Sequence, residues 1–206
     1  ANAVHGDHHN HTGILQELGG LRAKVKEMFL HGFNNYMNHA YPADELKPVS
    51  CKPRWREEDP NKSNNHGGVD LVMGRYQLTL IDSLDTLYMM DEKESWKKHV
   101  RLVIHTAKFD ADLPVSVFEA NIRVLGGLLS NHLFCVEENM EEEAEALLNM
   151  ATEVAERLLP AFDTPTGIPL SQVNLKSGAV PGQTRGTCTA CGGTFILEFG
   201  LLSKLT

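Results

Sequence analysis

Residues 116–134 read SVFEANIRVLGGLLSNHLF. Wound at 3.6 residues per turn, Val117, Phe118, Ile122, Val124, Leu125, Leu128, Leu129 and Leu133 leave no broad polar side. The spacing therefore predicts a helix over this stretch that packs on more than one face. Gly126 and Gly127 fall inside it, each about 1 kcal/mol less favourable there than alanine. Two adjacent glycines in such a place imply close backbone approach by another helix or by a bulky ligand. A helix buried on several sides needs other helices around it, and the flanking sequence supplies them.

Toward the carboxyl end, a helix over about Met140–Leu159 begins in Glu141, Glu142, Glu143 and Glu145, where the macrodipole favours acid, and Pro160 ends it. Residues 163–187 are rich in proline and glycine around a short hairpin expected at Ile168–Leu175. A sixth, strongly apolar helix runs from about Gly193 to Lys204, almost to the last residue, as in a truncated domain. Toward the amino end, Leu80, Ile81, Leu84, Leu87 and Tyr88 predict a helix over 78–90. Asp91 is the expected cap of the next helix, with Glu94 as its capping-box partner. Leu21, Val25, Met28, Phe29, Phe33, Tyr36 and Met37 predict a first helix over 21–39, stopped by Pro42. Residues 42–75 read as a long irregular connection. Residues 1–19 read as a flexible, histidine-rich arm, in which His5, His8, His9 and His11 are incidental rather than a metal site. Six helices without a sustained strand or an internal repeat make residues 20–206 an all-α unit.

The composition agrees. In 206 residues, 42% are hydrophobic, 22% charged and 7% aromatic, as in globular domains. A net charge of −8 lacks the basic footprint that nucleic acid or an anionic membrane surface requires. No 18-residue apolar run is present, so no transmembrane segment is expected. The chain opens on Ala1 without a basic and then apolar leader, so any signal peptide is expected to have been removed or to lie outside it. Asn10-His11-Thr12 and Asn61-Lys62-Ser63 are N-glycosylation candidates. The cysteines Cys51, Cys135, Cys188 and Cys191 permit three pairings and are too spread to form a disulfide framework.

Three groups of residues are candidates for chemistry. Ser116-Val-Phe-Glu119 matches a capping box, and Glu119 with Arg123 has the spacing of a helical ion pair; either would make Glu119 structural. Asp82 and Asp85 share a face of the second helix, where paired carboxylates serve acid–base work or helix-end hydrogen bonding. Cys188-Thr-Ala-Cys191 is a CxxC, but with no βαβ pattern around it and no second Cys/His pair, neither redox nor zinc chemistry is expected.

Read together, five blocks resemble the ER degradation-enhancing α-mannosidase-like branch of glycoside hydrolase family 47. They are MFLHGFNNYMNHAYPADEL (28–46), YQLTLIDSLDTL (76–87), SVFEANIRVLGGLLS (116–130), LLPAFDTPTGIPLSQVNL (158–175) and CTACGGTFILEFGLLSKLT (188–206). They stand in the family's order. The resemblance implies an (α/α)7 barrel, of which this chain would hold about six of fourteen helices. It implies hydrolysis, with inversion, of α1,2-linked mannose on high-mannose N-glycans of misfolded glycoproteins, in the endoplasmic reticulum lumen, with a bound Ca2+. The glutamate of the SVFE block is the family's catalytic acid and maps to Glu119; the arginine, which contacts sugar, maps to Arg123. That assignment replaces the capping-box role of Glu119, while Ser116 can still cap. The second carboxylate of an inverting enzyme and the calcium ligand are expected beyond residue 206, so the stretch alone is expected to be inactive. A non-hydrolytic glycan- or client-binding protein is the alternative, and a protein disulfide isomerase stands among the candidate partners. Cys191 occupies a position where relatives have glycine.

Overall fold

The architecture was taken from a computed structural model that describes residues 7–56, 70–183 and 186–206, with side chains from Gly13 onward. The first helix, α1, spans Asp7–His39. It begins well before the predicted Leu21, so the backbone of the expected arm is helical from Asp7. Its inner end is anchored by Phe33 and Tyr36, both buried. The Tyr36 hydroxyl donates to the Ala43 carbonyl at 2.7 Å, turning the chain at the expected place.

Part of the segment predicted as irregular is ordered by pairing. Strands β1 (Glu45–Lys47) and β2 (Lys52–Arg54) form an antiparallel hairpin. The Arg54 guanidinium binds Glu45 at 2.8 Å and Asp70 at 2.9 Å, fastening the hairpin to the chain that leads into the next helix.

Helix α2 (Leu78–Met89) starts at Gln77, whose backbone is left-handed and whose side chain makes no cap bond. Asp44 does that work from a distance. Its Oδ1 accepts from the Leu78 amide at 3.0 Å and its Oδ2 from the Arg75 amide at 2.6 Å. Burial holds this carboxyl above its ordinary range even though backbone amides pull the other way. Helix α3 (Lys93–Thr106) is not capped by Asp91. Asp91 has φ 62° and closes the end of α2, its amide bonding to the Tyr88 carbonyl at 3.0 Å, and Glu92 precedes α3 without a side-chain cap. The turn between two helices only three residues apart is too short for Asp91 to serve both.

Strand β3 (Pro114–Ser116) leads into the decisive helix, which is built in three parts without a break in the right-handed backbone: α4 (Val117–Glu119), a π-helical turn (Ala120–Leu125) and α5 (Gly126–Glu137). The predicted single helix is thus correct in extent, with a wide turn inside it. The expected close approach falls on Gly127, where a Cβ would lie 2.9 Å from Ile81 Cγ2 and 3.3 Å from the Ile81 carbonyl oxygen of α2. Asn131 accepts from Trp96 Nε1 at 2.7 Å and donates to the Gly127 carbonyl at 2.7 Å, a buried polar link between α3 and α5.

Helix α6 (Glu141–Leu158) starts in the acidic cluster as expected, and a 3-10 turn, Leu159–Phe162, follows. The hairpin beyond it sits later than predicted, as β4 (Gln172–Asn174) and β5 (Gly178–Ala179), and β4 also pairs with β3. A short helix α7 (Thr189–Gly193) and helix α8 (Ile196–Leu205) complete the chain. One apolar core joins residues of α1 to α6 and of α8, and includes Leu80, Leu84, Trp96, Leu125, Leu128 and Leu147. The described chain is a layered all-α assembly with two small antiparallel sheets. None of its helices is long and apolar enough to cross a membrane.

Candidate active site

The start of α4 is stitched from both sides. The Ser116 amide donates to the Leu71 carbonyl at 2.8 Å and the Val117 amide to the Ser171 carbonyl at 3.1 Å. Arg56, donating to the carbonyls of Met73 and Pro114, ties the same two segments together. This arrangement decides what Glu119 can do. In a full capping box the glutamate would return to the Ser116 amide, but that amide is already satisfied by Leu71. Only half of the box forms: Ser116 Oγ accepts from the Glu119 amide at 3.3 Å. The Glu119 carboxylate is left for another partner.

That partner is Arg123. Its Nε donates to Glu119 Oε2 at 2.7 Å, and its Nη1 donates to Asp82 Oδ2 of α2 at 2.8 Å. The bond to Glu119 first, and that to Asp82 after it, hold the guanidinium above its ordinary value. The pair joins α4, the π-helical turn and α2 in one charged row. The Glu119 side chain keeps 24% of its surface and those of Arg123 and Asp82 about 40%, so all three can meet a ligand from solution. Screening by water keeps the structural worth of such a half-exposed network small. Asp85, the other carboxylate of the expected pair, stays out of the row and accepts from Thr86 Oγ1 at 3.2 Å.

One acidic residue escaped the sequence reading. Glu198 of α8 is buried, and its Oε2 accepts from Asn121 Nδ2 at 2.9 Å, two residues from Glu119. Its Cγ and Oε1 would stand 3.7 and 3.8 Å from a Cβ at Gly126, so that glycine leaves room for the carboxylate. Asn121 Oδ1 is buried with no hydrogen-bond partner. In the sequence Glu198 is a single acid among Ile196, Leu197, Phe199, Leu201 and Leu202, a position that reads as the one solvated point of an apolar helix.

The other candidates are placed as follows. Asn61 and His5 lie outside the described residues, and so do the side chains of His8, His9, Asn10 and His11. Cys188 and Cys191 are joined by a disulfide, while Cys51 and Cys135 are free. Among the described residues no group of three or more His, Cys, Asp or Glu side chains could hold a metal ion.

Comparison with known proteins places this geometry in a class. The description of glycosyl hydrolase family 47 matches residues 28–206. Over 96% of its length the chain is 46% identical to ER degradation-enhancing alpha-mannosidase-like protein 3 of Xenopus laevis, of which it covers 22%. It is 43% identical to alpha-mannosidase I MNS4 of Arabidopsis thaliana, covering 30% of that protein. Among solved structures, an alpha-1,2-mannosidase from Trichoderma reesei superposes on 90% of the chain with a TM-score of 0.69 at 28% identity, and 37% of that enzyme is covered. The chain belongs to glycosyl hydrolase family 47. It spans less than a third of the length of these two curated relatives. Its helices correspond to part of the mannosidase fold, the expected partial (α/α)7 barrel.

Proposed function

We propose that this chain forms the acid-bearing part of an α1,2-mannosidase that trims high-mannose N-glycans on misfolded glycoproteins in the lumen of the endoplasmic reticulum. The observation that carries the reading is the half-made capping box: Ser116 caps, its own amide is bound to Leu71, and the Glu119 carboxylate is released to an open ion pair with Arg123 whose exposure leaves it little structural worth. In this role Glu119 protonates the leaving glycosidic oxygen. Arg123 holds the carboxyl group in place and donates to sugar hydroxyls, while Asp82 fixes the far side of the guanidinium. Inversion also requires a carboxylate on the opposite face of the sugar, about 6.5–9.5 Å from the acid, to take a proton from water. We assign that base, and the residues that hold calcium, to parts of the protein outside these 206 residues. The names of the relatives support residence in the endoplasmic reticulum and mannose as substrate; they carry nothing for a protein disulfide isomerase as partner.

Glycan profiling tests the assignment. General acid–base groups contribute about 10²–10⁴-fold each, so the 206-residue stretch alone is expected to release no measurable mannose. In the full-length protein Glu119→Gln is expected to lower trimming by at least about 10²-fold with an unchanged circular dichroism spectrum. Trimming by the isolated stretch would show that the base lies within it. Undiminished trimming by full-length Glu119→Gln would assign the acid elsewhere. Undiminished glycan binding by a full-length wild type that trims nothing would favour the glycan-binding alternative.

A further inference from the structure

The disulfide between Cys188 and Cys191 has a sequence separation of 3 and links no two elements of the fold. Both cysteines belong to one turn, at the start of α7. A cross-link stabilises chiefly by restricting the unfolded chain, and the effect shrinks with the length of the loop it closes. A structural staple is therefore a poor account of this bond. The turn is seated by packing instead. A Cβ at Gly192 would approach Thr187 Cγ2 to 3.2 Å and Ile168 Cγ2 to 3.3 Å, and α7 also rests on α4. These contacts remain if the sulfurs part.

The bond is also within reach. Cys188 is exposed and Cys191 half-buried, and exposed disulfides are the ones that exchange with thiols in solution. The Cys191 amide donates to Cys188 Sγ at 2.9 Å, a contact that favours negative charge on that sulfur once the disulfide opens. Neither of the other cysteines stands at this turn. Cys135 is fully buried in the core, and Cys51 lies between β1 and β2 with its Sγ 3.7 Å from the Pro48 carbonyl. The βαβ surroundings whose lack argued against redox chemistry in the sequence are one setting for an accessible dithiol; a seated turn is another.

We propose that Cys188–Cys191 is an exchangeable disulfide that takes a small thiol of the glutathione class, with Cys188 carrying the mixed disulfide. The incoming thiolate attacks Cys188 Sγ, the bond to Cys191 breaks, and Cys191 leaves as a thiolate that takes up a proton. A second thiolate then attacks the sulfur of the bound thiol. It departs with it as the small-molecule disulfide and leaves Cys188 reduced. Two thiols are oxidised for each protein disulfide reduced, and an excess of the small-molecule disulfide runs the sequence backwards.

The test uses the full-length protein in buffers of graded reduced and oxidised glutathione, quenched in acid, alkylated and mapped by peptide mass spectrometry. Cys188 and Cys191 are expected to pass together from oxidised to reduced within the series, while the far-ultraviolet circular dichroism and the melting temperature hold. In oxidised glutathione, Cys191→Ser is expected to gain a glutathionyl adduct on Cys188 about ten-fold faster than on Cys51. The proposal is overturned if the disulfide stays closed across the series or opens only as the chain unfolds. It is equally overturned if folded Cys191→Ser acquires the adduct on Cys188 no faster than on Cys51. The graded series on the unmodified chain decides the matter even where the variant does not fold.

Discussion

Gly126 and Gly127 are neighbours in sequence with different surroundings. At Gly127 a methyl group would meet Ile81 Cγ2 at 2.9 Å, closer than real Cβ atoms come, whereas at Gly126 the nearest atom is 3.6 Å away and the backbone is right-handed, φ −60°. Overpacking costs about 1–3 kcal/mol, against a gain of about 1 kcal/mol in helix propensity. Gly127→Ala is accordingly expected to lose up to about 2 kcal/mol in urea unfolding, and Gly126→Ala to be neutral or to gain up to about 1 kcal/mol. Equal losses at both positions would contradict the close approach of α2 and α5. Glu119 shows a similar dependence on one neighbour. The SVFE motif alone cannot say whether its glutamate turns back on the serine amide, because the answer lies with Leu71, forty-five residues before Ser116 and on another segment.

At the scale of the element, α1 and α3 meet through Phe33 and His99, ring against ring at 5.0 Å with the planes 88° apart. The His99 Nδ1 lies 2.7 Å from the Ser95 carbonyl, and burial, aided by the nearby Lys98 charge, pushes the imidazole below its ordinary 6.5. The unfolded chain then binds this proton more readily than the folded one. The contribution of neutral His99 is complete above pH 6.5 and is lost as the pH falls below it. His99→Phe keeps a ring against Phe33 and removes the titration, so its urea midpoint is expected to fall less than that of wild type between pH 7 and 5.5. Parallel pH slopes for the two proteins would contradict this.

Much of the element map was legible from spacing: α2, α3, α6 and α8 lie within a few residues of their expected places, because apolar periodicity reports burial directly. The failures have local causes. Asp91 matched a helix cap but serves the end of α2, since the loop offers one residue for two tasks. Asp44, the actual cap of α2, lies more than thirty residues upstream, where no short motif could reveal it. The hairpin β1–β2 is held by backbone pairing and by Arg54, which leave no periodic trace. The π-helical turn changes hydrogen-bond register without changing composition. In the site, Glu119, Arg123 and Asp82 were each recognisable, yet their meeting was not, and Glu198 was hidden by the apolar residues around it.

At the scale of the whole molecule, several large side chains stand uncovered near the ends and outer faces of well-packed helices. Met28 is 72% exposed, Met89 69%, Val136 56%, Ile196 83% and Leu197 75%, although α2, α5 and α8 are otherwise strongly apolar. Surfaces of this kind bind apolar dyes and drive association. The isolated 206-residue chain is expected to enhance ANS fluorescence or to self-associate in analytical ultracentrifugation; a monomer silent to ANS would count against an incomplete barrel. The wide turn at Ala120–Leu125 has a consequence of another kind. A π turn accommodates one residue more than an α turn, and each residue of a helix advances about 100° around the axis. Glu119 and Arg123 therefore face α2 on a different azimuth, relative to the Gly127 contact, than an unbroken α-helix would give them. A single-residue deletion inside the turn could restore regular winding and spare the hydrophobic pattern on both sides, yet swing the acid away from Asp82. In the currency of insertions and deletions, this helix can keep its fold and lose the Glu119–Arg123–Asp82 row by one codon.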